Sequence, residues 1–221
     1  MLSIPCQQLA RTYVFHQDSL GLDDKEEMGK FLSPEAMNRY KYYVSDPVKA
    51  GLDVDYLKHH KRDFVHMWLR LGSRYPGEFV LAPVYNTMGL WYMGGDSSCY
   101  VEYAMSPPFD GEHVVEPRSI LPALREGYRW FTDGNIQRSL PAASLLFYTS
   151  FYAWLVFICT IVMWAQKRYR CLILSAVLLG YMFSLVPGPC IIIRYMFGII
   201  LCVPVMMALT FYRADGGKKG R

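Results

Sequence analysis

The chain has 221 residues, enough for one or two domains, and is 52% hydrophobic and 15% aromatic with only 19% charged residues. Its net charge of +4 is unevenly placed: residues 1–142 carry 15 basic and 18 acidic residues, a net of −3, whereas residues 143–221 carry 8 basic residues and one acid, a net of +7. The C-terminal basic residues flank apolar runs, so the surplus reads as a membrane-orientation signal and argues against a nucleic-acid surface.

In chain order, Gln7 to Phe15 reads as a short helix. Ser33-Pro34-Glu35 predicts a helix start, with a hydroxyl N-cap, proline at the first helical position and an acid in the first turn. Ser45-Asp46-Pro47 repeats that logic. Asp53 or Asp55 caps a longer helix running to about Leu71, with Phe64, Trp68 and Leu71 on one face and Gly72-Ser73 as its end. Phe79 to Gly95 is a 17-residue stretch without charge, too short and too rich in Pro, Asn, Thr and Gly for a membrane span. It reads as a buried helix or one lying among lipid headgroups, and Trp91, Tyr92 and Met93 favour the second. Gly94 to Pro122 reads as loop, and Glu126 to Arg138 leads into the membrane region.

Ala143 to Ala165 is 23 residues without charge, long enough to cross a bilayer core, with Tyr148, Tyr152 and Trp154 towards one end and Trp164 and Tyr169 at the other. Cys171 to Ile193 is again uncharged and is interrupted by Pro187-Gly188-Pro189, which predicts a turn. A third run, Ile191 to Tyr212, holds Arg194 near its start and Pro204 in its middle. The expected fold is therefore an α-helical integral membrane protein. A mainly helical extracytoplasmic domain over 1–142 precedes three transmembrane helices over 143–212 and a basic cytoplasmic tail over 213–221. The Lys167/Arg168/Arg170 connector and the Lys218/Lys219/Arg221 tail fall on one side of this arrangement, and the positive-inside rule makes that side cytoplasmic. Residues 1–142 then lie on the outer side of the membrane, yet no signal peptide precedes them. The simplest resolution is a C-terminal fragment whose upstream transmembrane segments are missing; the alternative is a complete protein with a cytoplasmic N-terminal domain.

Arg194 is the leading candidate for chemistry. A charge in an apolar run is costly, and near the outer headgroups its guanidinium could hold a lipid phosphate or pyrophosphate, or simply snorkel. Asp46 and Lys49 stand one helical turn apart and either pair, contact a ligand, or serve as N-cap and solvated lysine. His59, Asp63 and His66 share a face, but the basic residues beside them disfavour a metal, and no cofactor is implied. Arg39-Tyr-Lys-Tyr-Tyr43 reads as interfacial anchors rather than a nucleic-acid site. There is no Cys-x-x-Cys, P-loop, nucleophile elbow or dinucleotide fingerprint. A Cys6–Cys99 disulfide is open if the region faces an oxidising compartment.

Ile4-Pro-Cys-Gln-Gln-Leu-Ala-Arg11, Ser45-Asp-Pro-Val-Lys49, Trp68-Leu-Arg-Leu-Gly72, Tyr75-Pro-Gly77, Gly89-Leu-Trp-Tyr92 and the closing Pro189 to Tyr195 form a set. Together they resemble the C-terminal half of large, uncharacterised bacterial multipass membrane proteins. Those are similar to the GT-C class of membrane glycosyltransferases, which use polyprenyl-phosphate-linked sugars. The resemblance implies a soluble-side domain on a transmembrane bundle in a bacterial plasma membrane, and a role in cell-envelope glycan modification. It also implies that the acidic catalytic loop lies upstream of Met1, so no catalytic residue is assigned here. Arg194, Tyr195, Asp46, Lys49 and Arg11 are the candidates for lipid-phosphate or substrate binding. The competing reading is a non-catalytic scaffold or transporter component; the absence of acids from the apolar runs argues against cation coupling.

Overall fold

A computed structural model describes residues 2–93, 120–133 and 144–212. The described residues are mainly helical and contain no strand, only isolated bridges at Leu32–Leu52 and Lys41–Val44. Cys99, most of the expected loop from Gly94 to Pro122, and the basic tail Arg213 to Arg221 lie outside them.

The first helices are α1 (Ser3–Phe15), α2 (Leu22–Phe31), α3 (Pro34–Asn38), α4 (Asp46–Lys49), α5 (Val54–His59), α6 (Lys61–Arg74) and α7 (Pro76–Asn86). They surround α1, which is buried on nearly every side and packs against α3, α4, α6 and α7. Cys6, Leu9 and Ala10 of α1 meet Met67 and Leu71 of α6 in one core, all at 0% exposure. Each such leucine contributes about 1.5–3 kcal/mol by leaving water.

Local chemistry sets the helix ends. Ser33 Oγ accepts from the Ala36 amide at 3.3 Å and Pro34 opens α3, as its sequence predicts. Asp53 Oδ1 accepts from the Tyr56 amide at 2.8 Å. The helix that Asp53 starts does not reach Leu71 unbroken: it stops at His60, whose ring stacks on Tyr56 at 4.0 Å, and α6 starts afresh. α6 then runs past Gly72-Ser73 to Arg74, ending before Tyr75-Pro76, where the residue preceding proline disfavours helix. In the charge-free stretch, α7 buries Phe79, Ala82 and Asn86 and exposes Val80, Leu81 and Val84. A short 3-10 turn (Met88–Leu90) follows, and Trp91, Tyr92 and Met93 are exposed.

Beyond α8 (Pro122–Asp133) come three apolar helices: α9 (Thr149–Ala165), α10 (Leu172–Leu185) and α11 (Ile193–Phe211). Of the three expected spans, only α11, with 19 residues, is by itself long and apolar enough to cross a membrane. The uncharged run before it is longer than the helix it yields. Leu145–Phe147 forms a 3-10 turn and Tyr148 is extended, leaving α9 17 residues. The Pro187-Gly188-Pro189 turn confines α10 to 14 residues, roughly 21 Å at 1.5 Å per residue against a hydrocarbon core of about 30 Å. The three helices share a core of Ala153, Val156, Leu178, Met182, Met196 and Ile199.

At the far end of this bundle, α9 closes in a left-handed cap. Lys167 has φ 57°, its amide donates to the Trp164 carbonyl and the Arg168 amide to that of Met163, both at 2.9 Å. The Arg168 guanidinium then donates to the Leu209 carbonyl at 2.8 Å and the Thr210 carbonyl at 3.4 Å. It thus satisfies orphan carbonyls where α11 ends and the helix dipole is negative. The connector and the end of α11 therefore lie together, opposite the Pro187-Gly188-Pro189 turn.

Candidate functional site: the seam between the helical domain and the apolar hairpin

The helical domain is fastened to that turn by polar contacts distant in sequence. The Ser45 amide and hydroxyl both donate to the Pro189 carbonyl, at 2.8 and 3.2 Å. Asn86 Nδ2 donates to the Gly188 carbonyl at 3.0 Å. Thr149 Oγ1 donates to the Gly89 carbonyl at 2.6 Å, and Trp154 Nε1 to the Trp91 carbonyl at 3.0 Å. Gly89 lies so close to Ile191 that a Cβ there would sit 2.8 Å from the Ile191 Cβ. Ser45, predicted as an N-cap, makes no capping bond; its hydroxyl serves the seam instead.

Arg194 and Tyr195 occupy the first turn of α11, beside this seam. The Arg194 guanidinium is exposed, lies 5.2 Å from the Tyr195 ring centroid, and donates to the Tyr195 hydroxyl at 3.4 Å. Among the described residues it meets no carboxylate within ion-pair distance. Tyr181 fixes the local backbone by donating its hydroxyl to the Tyr195 carbonyl at 2.6 Å. Burial pushes the Cys190 thiol up; nearby Asp46 pushes the same way and Arg194 opposes them. The Ser45 bonds hold Asp46, the next residue, close to the turn that leads into α11 and Arg194.

Lys49 is exposed like Asp46 but acts on a different neighbour. The Cys6 thiol is pushed up to about 11 by burial, and Lys49 partly offsets this. Asp46 and Lys49 form no ion pair among the described residues.

Arg11 belongs to the interior of the domain. Its Nε donates to Glu78 Oε2 at 2.6 Å and another nitrogen to the Tyr40 hydroxyl at 3.2 Å. His16 Nε2 lies 3.3 Å from the other Glu78 oxygen. The guanidinium also lies 4.5 Å from the Phe15 centroid and 5.0 Å from that of Tyr85. Burial opposes its charge, but Tyr40 and Glu78 outweigh that and hold the guanidinium protonated. Burial likewise pushes the Tyr40 phenol up. These partners join α1 to α7, and no contact joins them to Arg194. His59, Asp63 and His66 form no metal-binding group among the described residues.

Asn86 and Gly89 were not singled out as site residues by sequence. One signal was available: an amide that stays in an otherwise apolar run needs a buried partner. Gly89 stood in the Gly89-Leu-Trp-Tyr92 motif, but nothing local indicates Ile191 as its neighbour.

The architecture defines a mainly helical protein with at least one helix fit to cross a bilayer, carrying a docked helical domain. The chain belongs to a family of unknown function, DUF6020, whose model matches residues 1–220. No curated protein and no solved structure matches it.

Proposed function

We propose that this chain is the C-terminal part of a multipass membrane protein that handles a lipid-linked phosphate at the outer face of the plasma membrane. α9, α10 and α11 would cross together as a three-helix bundle, the shorter two reaching the interfaces through their flanking segments. The connector holding Lys167, Arg168 and Arg170 would lie in the cytoplasm and residues 1–142 outside. The reading rests on one observation: Arg194 stands in the first turn of an apolar helix, exposed and with no carboxylate within ion-pair distance among the described residues. A guanidinium at headgroup depth matches a phosphate or pyrophosphate in charge and in its planar fork. Tyr195 beside it lends a hydroxyl that accepts from the guanidinium and a ring face 5.2 Å from it. Transfer of a sugar from a polyprenyl phosphate in cell-envelope glycan modification is the activity that suits this ligand, and its general base is assigned to no residue described above.

The test replaces Arg194 in the full-length protein. Arg194→Ala abolishes the envelope glycan modification and Arg194→Lys, which keeps the charge but loses the fork, restores it in part. A glycan profile unchanged in Arg194→Ala, with the protein present in the membrane at normal amounts, would overturn the reading.

A further inference from the structure

A second feature lies away from Arg194. Leu2, just before α1, Pro5 of α1, Leu57 of α5, and Phe64, Val65 and Trp68 of α6 line an open groove of about 420 Å³, within the size range of small-ligand sites. Its walls present almost no polar atom, although Lys58 and Lys61 also line it. The two lysines therefore contribute their methylene stems and leave their ammonium groups at the mouth. Trp68 adds an apolar ring because its Nε1 is already spent, donating to Gln8 Oε1 at 2.9 Å. Lys58 is paired at 2.8 Å with Asp55, whose side chain is 87% exposed, a contact worth little in water. Lys61 meets no carboxylate within ion-pair distance among the described residues and is the first residue of α6, where the helix dipole adds to the positive potential.

One wall of the groove, the start of α1, is linked to the seam through a short chain of hydrogen bonds. Leu2 and Pro5 lie at the end of α1 where Gln7 donates to the carbonyls of Lys41, at 3.1 Å, and Val44, at 2.6 Å. Val44 precedes Ser45, which is bonded to the hairpin turn. A free anion would gain only the charge at the mouth, and a neutral amphiphile only the walls. An anionic amphiphile gains both.

We propose that this groove takes one acyl chain of an anionic bilayer lipid, with the headgroup phosphate against Lys58 and Lys61. The inference rests on the bilayer reading above, though not on Arg194 or on sugar transfer. The full chain in nanodiscs is irradiated with phosphatidylglycerol carrying a photoreactive acyl chain, and separately with phosphatidylcholine carrying the same chain. Labelled peptides are then mapped by mass spectrometry. Both lipids label α11, which reports insertion. Phosphatidylglycerol labels residues 54–68 about threefold more than phosphatidylcholine, the size of an exposed ion pair. Val65→Trp fills the groove and removes that labelling while α11 stays labelled. Lys58→Gln with Lys61→Gln leaves the walls intact and erases the preference between the two lipids. Labelling of α11 with none at 54–68, or equal labelling there by both lipids, overturns the groove assignment alone. No labelling of α11 overturns the bilayer reading and the groove with it.

Discussion

Gly89→Ala tests the seam directly. The new Cβ would stand 2.8 Å from the Ile191 Cβ and 2.9 Å from the Ile191 carbonyl oxygen. Ile191 is only 3% exposed, and a backbone carbonyl cannot rotate away, so the domain or the hairpin turn must shift. That shift also strains the Thr149 bond to the Gly89 carbonyl, 2.6 Å long. Overpacking of this kind costs about 1–3 kcal/mol. A value near 2 kcal/mol raises the population of the opened seam roughly 30-fold. The Ser45 amide, bonded to Pro189 across the seam at 2.8 Å, reports that opening by hydrogen exchange. Its exchange rate is expected to rise by the same factor, about 30. Gly29→Ala is the control: within α2 a Cβ there meets nothing within 4 Å. Removing the flexibility of that glycine stabilises α2 by about 0.5–1 kcal/mol and leaves the Ser45 rate unchanged. A Gly89→Ala protein that is folded and exchanges Ser45 at the normal rate would refute the account of how the domain is held.

Two further changes probe the interior and the connector. Glu78→Gln strands the Arg11 guanidinium, whose side chain is 9% exposed against 17% for Glu78. The loss is about 3–5 kcal/mol, read as a lower midpoint of denaturation, and Arg11→Met added to it recovers most of the stability; failure to recover would mean that the ion pair itself, rather than the stranded charge, dominates. At Lys167 the backbone is left-handed, φ 57°, so Lys167→Gly relieves about 1 kcal/mol of steric cost and Lys167→Val adds to it. Thermal unfolding in detergent that ranks the three proteins in any other order contradicts the cap geometry.

Elements whose signals are local were legible in the sequence. The Ser33-Pro34 start and the Asp53 cap each depend on residues within one turn, and both form as predicted. The turn at Pro187-Gly188-Pro189 is likewise encoded on the spot. Helix length in the apolar region was less legible, because lack of charge reports solvent preference rather than backbone continuity. Tyr148 lies within an uncharged run yet is extended, and Thr149 next to it is bonded to the Gly89 carbonyl, a partner 60 positions away. The break falls at His60, whose ring stacks on Tyr56 one turn back, and hydrophobic periodicity carries no mark of it. The approach of Asp46 to the Pro187-Gly188-Pro189 turn was invisible for a simpler reason: it follows from the Ser45–Pro189 bonds, and no pattern within either segment announces the other. Arg11 stood out in its motif, but only the fold shows its charge committed to Glu78 and Tyr40.

On the topology proposed above, the Arg168 cap has a consequence for any attempt to invert the molecule in a membrane. The same guanidinium that counts towards sidedness also terminates α11, bonding Leu209 and Thr210. Stripping the connector of positive charge wholesale would unpick the bundle as well as weaken its orientation. Lys167 and Arg170 are the charges to remove, with Arg168 kept as the rivet.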